Sequence, residues 1–130
     1  MKERMYKISM GAALLLGVVS VNASELHKLL DKEETLYKQA ARSYAQRKNI
    51  TPYLVQIKRI NQKLKKEKVK QETADLLVYF DLCFSELQRI AHEPYRVQNN
   101  EILSDLSRAI EEGHTQIVKS NQKVFSMVRP

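Results

Sequence analysis

One cysteine, Cys83, is all the thiol this 130-residue chain has, so no disulfide within the chain can staple it. Tryptophan is absent, and glycine and proline number only three each. Gly11 and Gly17 fall in the first 23 residues, which leaves Gly113 as the single later glycine, with prolines at Pro52, Pro94 and Pro130. So few breakers exclude the turn-rich pattern of a β-sandwich or barrel, and no stretch alternates apolar and polar residues as a half-buried strand does. Also missing are Gly-x-Ser-x-Gly, His-Glu-x-x-His, a Gly-rich phosphate loop and Cys-x-x-Cys-His. Their absence removes the sequence signatures of the α/β-hydrolases, zinc proteases, nucleotide loops and covalent haem.

What is present begins with an address. Lys2, Arg4 and Lys7 make a basic start, and 17 uncharged residues follow from Ile8 to Ser24, with Leu14, Leu15, Leu16, Val18 and Val19 at their heart. Val21-Asn22-Ala23 places small side chains at the −3 and −1 positions that a signal peptidase accepts. The run is shorter than the roughly 20 residues a membrane-crossing helix needs. The expectation is a bacterial-type signal peptide over 1–23, cleaved after Ala23, and a periplasmic or secreted protein of residues 24–130 with no transmembrane span. No Cys stands at the cleavage position, which closes the lipoprotein route.

The remaining 107 residues suffice for one domain with a modest core. Removing the leader's three cations and one anion leaves 19 basic against 14 acidic side chains, a net +5.

Periodicity then predicts four helices. Leu26, Leu29, Leu30, Leu36, Tyr37, Ala40, Ala41 and Tyr44 form one apolar stripe over 25–48, with Arg42, Arg47 and Lys48 near its end and Asn49 stopping it. Thr51 as cap and Pro52 at the first helical position open a second helix over 52–66, whose stripe is Leu54, Ile57, Ile60 or Asn61, and Leu64. A third, over 73–92, carries Leu76, Leu77, Phe80, Cys83, Phe84, Leu87, Ile90 and Ala91, and ends ahead of Pro94. The fourth, over 100–126, starts after a capping Asn99 or Asn100 and keeps Ile102, Leu103, Leu106, Ala109, Ile110, Ile117, Val118, Val124 and Phe125 in phase. Gly113 lies on that stripe, read as a tolerated helix-interior glycine costing about 1 kcal/mol against Ala, as the close approach of a neighbouring helix, or as a kink before His114.

No breaker separates the second and third helices, but their stripes are out of step. Twelve residues from Leu64 to Leu76 rotate the apolar face by about 120°. A turn within 66–72 follows. The expected fold is all-α, a small antiparallel four-helix bundle, in preference to a three-helix form with one long continuous second helix.

Candidate chemistry is sparse. The three histidines are His27, His92 and His114. Matching the ends of an antiparallel first and fourth helix sets His27 beside Val124, several turns from His114. Glu111 and His114 have the Glu-x-x-His spacing of half a dinuclear site, without a second half, and Met127 near the C-terminus is a poor ligand. Glu33-Glu34 and Glu111-Glu112 are neighbours whose side chains diverge around a helix, so both pairs read as solvated surface. Cys83 reads as a small core residue, with a disulfide to another chain as the alternative, and not as a nucleophile. Tyr37, Tyr44 and Tyr79 belong in or at the rim of the core with wet hydroxyls. No catalytic residue, metal or cofactor is expected.

The one concentrated signal is basic. Lys58, Arg59, Lys63, Lys65, Lys66, Lys68 and Lys70 are opposed within 58–70 by Glu67 alone. A net +6 on 13 residues exceeds the charge of the whole mature chain, and its field suits an anionic partner. Taken together these features point to a non-enzymatic protein that binds another protein, as an adaptor, chaperone or immunity-like protein. The alternative is an electrostatic binder of lipid headgroups or cell-wall polymer through the basic segment. Secretion argues against nucleic acid as a partner.

Overall fold

The computed structural model describes the backbone over residues 12–128 and side-chain surroundings over residues 25–120. Four helices follow one another, α1 (Ala12–Ala45), α2 (Thr51–Lys65), α3 (Gln71–Ala91) and α4 (Asn99–Val128). The leader's basic start lies outside the described residues, as do the side chains of Val124, Phe125 and Met127. α1 includes residues 12–23 of the expected leader, and the described core begins at Leu26. Among the described residues no helix is long and apolar enough to cross a membrane.

Each helix packs against two neighbours, α1 on α2 and α4, and α3 on α2 and α4, closing a ring of four. Short connections make successive helices antiparallel. Lys70, ahead of α3, donates to the carbonyl of Ser120 late in α4 at 2.9 Å, and Tyr44 near the end of α1 meets Asn99 at the start of α4. These ties make α3/α4 and α1/α4 antiparallel as well. The bundle runs up-down-up-down, and the continuous second helix is excluded by the break over residues 66–70.

Why these stretches bundle is visible in their spacing. On α1 the buried positions Leu26, Leu30, Glu33, Tyr37, Ala40 and Tyr44 alternate steps of four and three, with Leu36 buried beside them. That is the seam of a left-handed bundle, and five of its six side chains are the hydrophobic stripe expected. α2 contributes Leu54, Ile57, Ile60, Asn61 and Leu64, α3 Thr73, Leu77, Phe80, Cys83, Leu87 and Ile90. α4 adds Leu103, Ile110 and Ile117.

The helix ends differ from expectation in three places. α1 stops at Ala45, short of Arg47 and Lys48, because Arg47 turns left-handed at φ 60°. Arg47 N–H then bonds Tyr44 O at 2.8 Å and Lys48 N–H bonds Ser43 O at 2.9 Å, the paired closure of a Schellman motif. α2 takes Thr51 into its first turn, so Thr51 is not the cap. The Asn49 carboxamide accepts from Thr51 N–H at 3.0 Å instead. Asn99 and Asn100 likewise lie inside α4, where their amide nitrogens donate to the hydroxyls of Tyr44 and Tyr95.

At Gly113, α4 packs directly against the Phe80 ring of α3. A Cβ built there would sit 2.5 Å from Phe80 Cε1 and 3.0 Å from Cζ, and the Phe80 ring is fully buried. Helix propensity alone would favour Ala by about 1 kcal/mol. Overpacking a filled core costs about 1–3 kcal/mol and reverses that gain. Gly113→Ala is therefore expected to lower the unfolding free energy by about 1 kcal/mol in denaturant titrations, while in a Phe80→Leu background the same change becomes neutral or stabilising.

Candidate functional site

The basic segment occupies the last two turns of α2 and the connection to α3. Lys58, Arg59, Lys63, Lys65, Lys66 and Lys68 are exposed and Lys70 is half-buried. Two of the seven are engaged. Lys65 pairs with Asp81 of α3 at 3.0 Å, and Lys70 is held by the Ser120 carbonyl. The other five make no ion pair among the described residues. On α2 the exposed cations Lys58, Arg59 and Lys63, with Lys66 just past its end, lie opposite the buried Leu54, Ile57, Ile60 and Leu64, and the helix carries no acidic side chain. The fold thus presents this charge to solvent instead of neutralising it.

A second place lies inside the bundle. Glu33, expected on the surface, is 0% exposed. Its neighbour Glu34 is half-buried, so neither acid of that pair is solvated surface, whereas Glu111 and Glu112 are exposed as expected. Its spacing accounts for this: Glu33 falls three residues after Leu30 and four before Tyr37, on the seam itself. Adjacent acids do diverge, and here one of them diverges into the core. Burial, with Asp81 nearby adding to it, pushes the Glu33 carboxyl up to about 8, so it is protonated at neutral pH.

Asn61 of α2, also buried, faces this acid and suits both of its states. With its NH2 turned to Glu33 it donates to both carboxylate oxygens at 2.8 and 2.9 Å. With its carbonyl turned to Glu33 it accepts the proton of the neutral acid. Tyr37 lies beside them, fully buried, and its hydroxyl has no hydrogen-bond partner. The expectation of a wet hydroxyl fails there because the phenol is enclosed, and burial and the nearby acids raise its pKa. Tyr44 is buried too and satisfied by protein groups, while Tyr79 is exposed.

A third group joins α1 to α4. His114, 7% exposed, points one ring nitrogen at each of two α1 side chains. Nδ1 is 2.8 Å from Glu34 Oε1, and Nε2 is 3.1 Å from Nδ1 of His27. The two imidazoles stand 5.0 Å apart, which corrects the expectation that His27 would face Val124. That expectation matched helix ends. α1 in fact ends earlier and is tied to Arg96 and Asn99, which slides His27 along α4 to His114. Lys38 donates to Glu34 Oε2 at 3.3 Å and reaches Glu111 at 3.6 Å. Partial burial opposes ionisation of Glu34, but the hydrogen bonds and charges of His114 and Lys38 outweigh it and hold the carboxyl below its ordinary value. Asp31, one turn earlier and exposed, completes a set in which ligand atoms of Asp31, Glu34 and His114 lie within 4.8 Å of one another.

Two further features bear on function. Cys83 is a buried free thiol, and burial, partly offset by a hydrogen bond from Tyr79, pushes it up to about 11, the opposite of an activated nucleophile. On the outer face of α3, Val78 (59%), Tyr79 (45%) and Leu82 (63%) are exposed on successive turns. No protein-family model matches this chain, and comparison with curated proteins and with solved structures returns no match.

Glu33 makes stability depend on pH in a fixed direction. Its folded value lies above the 4.5 of a free carboxyl, so its contribution is fully present below pH 4.5 and is lost as pH rises to about 8. Glu33→Gln keeps the shape and removes the proton. The variant is expected to be more stable than wild type at pH 8.5 by on the order of a few kcal/mol, with the difference shrinking toward pH 5 in urea melts. Cys83 is expected to resist a thiol reagent in the native protein and to react fully in urea; native labelling at the unfolded rate would contradict its burial.

Proposed function

We propose that this is a non-enzymatic helical bundle of the cell envelope, periplasmic or secreted, that works by binding another protein. The observation that carries the proposal is the outer face of α3. Val78 and Leu82 stand one turn apart with more than half of each side chain in water, and Tyr79 flanks them. Scattered single apolar residues need no explanation, but three on one helix face are what an interface leaves exposed when its partner is absent. The inert setting of Cys83 supports a role without covalent chemistry.

The chemistry of the partner is suggested by the neighbouring helix. α2 adjoins α3 and turns Lys58, Arg59 and Lys63 outward, with Lys66 exposed just past its end and the Lys65–Asp81 pair at the junction between the two helices. A partner that covers both faces offers an acidic surface carrying an apolar ridge. The apolar part supplies affinity, and the charges speed encounter and fix orientation. A second reading, attachment to anionic lipid or cell-wall polymer, is favoured by the five segment cations that make neither ion pair nor hydrogen bond among the described residues, and by nothing on α3.

A crosslinked capture from the envelope fraction of the source cell separates the two. The tagged protein is compared with Leu82→Asp, and with a variant in which Lys63, Lys65, Lys66, Lys68 and Lys70 are all Gln. The expected result is one defined protein that persists at physiological salt, disappears with Leu82→Asp and is captured more slowly by the Gln variant. Capture indifferent to Leu82→Asp would refute the α3 interface. Lipid or polymer that is lost both on raising the salt and in the Gln variant would establish the second reading.

A further inference from the structure

The α1/α4 seam brings two imidazoles and two carboxylates to one spot, and neither the basic surface nor the α3 face uses them. The nitrogen geometry is the first observation. His27 Nδ1 and His114 Nε2 face each other at 3.1 Å. Two nitrogen ligands on one tetrahedral ion, each bonded at 2.0–2.1 Å, stand about 3.3 Å apart. The two rings are therefore already placed as a pair of ligands would be.

The second observation is what stands behind His114. Its other nitrogen, Nδ1, meets Glu34 Oε1 at 2.8 Å, and Lys38 secures the second oxygen of that carboxylate at 3.3 Å. An imidazole that donates Nδ1–H to a carboxylate has its lone pair on Nε2, aimed at His27. This carboxylate–histidine arrangement is the one that orients metal-bound histidines and raises their basicity. The third observation is Asp31, whose carboxylate lies within 4.8 Å of the Glu34 and His114 ligand atoms; His27 stands outside that set, one helical turn before Asp31 on α1, so the exposed Asp31 side chain turns toward the two nitrogens to join them. Spacing on α1 of His27, Asp31 and Glu34 keeps all three on the face that meets His114.

We propose that His27, Asp31 and His114 bind a divalent transition-metal ion of the Zn2+ class, with Glu34 as the carboxylate that positions His114. The ion takes the place of the proton shared between the two ring nitrogens. Nitrogen and carboxylate donors without a thiolate suit Zn2+, Ni2+ or Cu2+ better than Ca2+ or Mg2+. Three protein ligands leave one coordination position for water, and the exposure of His27 and Asp31 leaves the ion within reach of solvent. Because the ligands come from the first and last helices, binding clamps the two ends of the chain's fold together.

Protein expressed from the whole 130-residue sequence and stripped with a chelator is titrated with Zn2+ by calorimetry and with Co2+ by visible absorption near neutral pH. The expected result is one ion per chain, a visible spectrum typical of low-coordinate Co2+, and a melting temperature that rises with Zn2+ concentration. His27 is exposed, so His27→Ala removes a ligand without opening the core, and it is expected to weaken binding at least tenfold, as is Asp31→Asn. Glu34→Gln, which leaves the three ligands in place, is expected to weaken it by about 10–100-fold. His92→Ala, outside the cluster, changes nothing. Absence of saturable binding, or wild-type affinity in His27→Ala, overturns the proposal.

Discussion

A single hydroxyl, that of Tyr44, sets how the first helix lies along the last. It accepts from Arg96 N–H at 2.9 Å and from the Asn99 carboxamide at 3.2 Å, while its ring stacks on Tyr95 at 4.9 Å. Arg47 lies over the other aromatic of that pair, 4.6 Å from the Tyr95 centroid. The knot forms where α1 has just ended and α4 is about to begin. From it the two helices run antiparallel with the same rise per residue. Seventeen residues back along α1 is His27, and fifteen on along α4 from Asn99 is His114. Their meeting follows from that anchor, and so does the reach of Glu34 and Lys38 across the same seam.

Polar residues on the seams do a related job further inside. Glu33, Asn61 and His114 occupy positions where a leucine would pack as well, and each is matched to a polar group on a neighbouring helix. A slip by one turn would strip those partners and leave buried polar groups unpaired, each at about 1–3 kcal/mol. Apolar seams alone tolerate such slips. The interior acid has a cost of its own, since a carboxyl at about 8 must stay neutral to stay buried, and Asn61 accommodates either state by turning its amide. Tyr37, with its hydroxyl unpartnered next to that acid, shows the interior is not fully satisfied.

The surface divides along the ring of helices. α2, its connection to α3, and α3 carry the basic segment and the exposed Val78, Tyr79 and Leu82, whereas the histidine–carboxylate group sits across the molecule between α1 and α4. A partner seated on α2 and α3 would leave the proposed metal position open to solvent. An ion there would stiffen the α1/α4 half of the ring without touching the docking face. Binding of protein and binding of metal are thus separable on this scaffold by geometry.

Helix number, helix type, the break after Lys65 and most of the core were legible from spacing and phase, because an apolar stripe repeats on the chain itself. The exposed run of lysines was legible for the same reason. Glu33 stands in the phase of Leu30 and Tyr37 as well, but its pairing with Glu34 hid that, since adjacency in sequence says only that two side chains point apart; how far Glu34 is covered depends on the neighbouring helix. The register of α1 against α4 was likewise invisible, because it depends on where each helix stops and on a hydrogen bond between residues more than fifty positions apart. The amino-acid sequence by itself determined an all-helical chain with one inward face per helix and a basic second helix. Only tertiary packing decided which turns meet, and therefore that an acid is buried in the core and that His27 stands against His114.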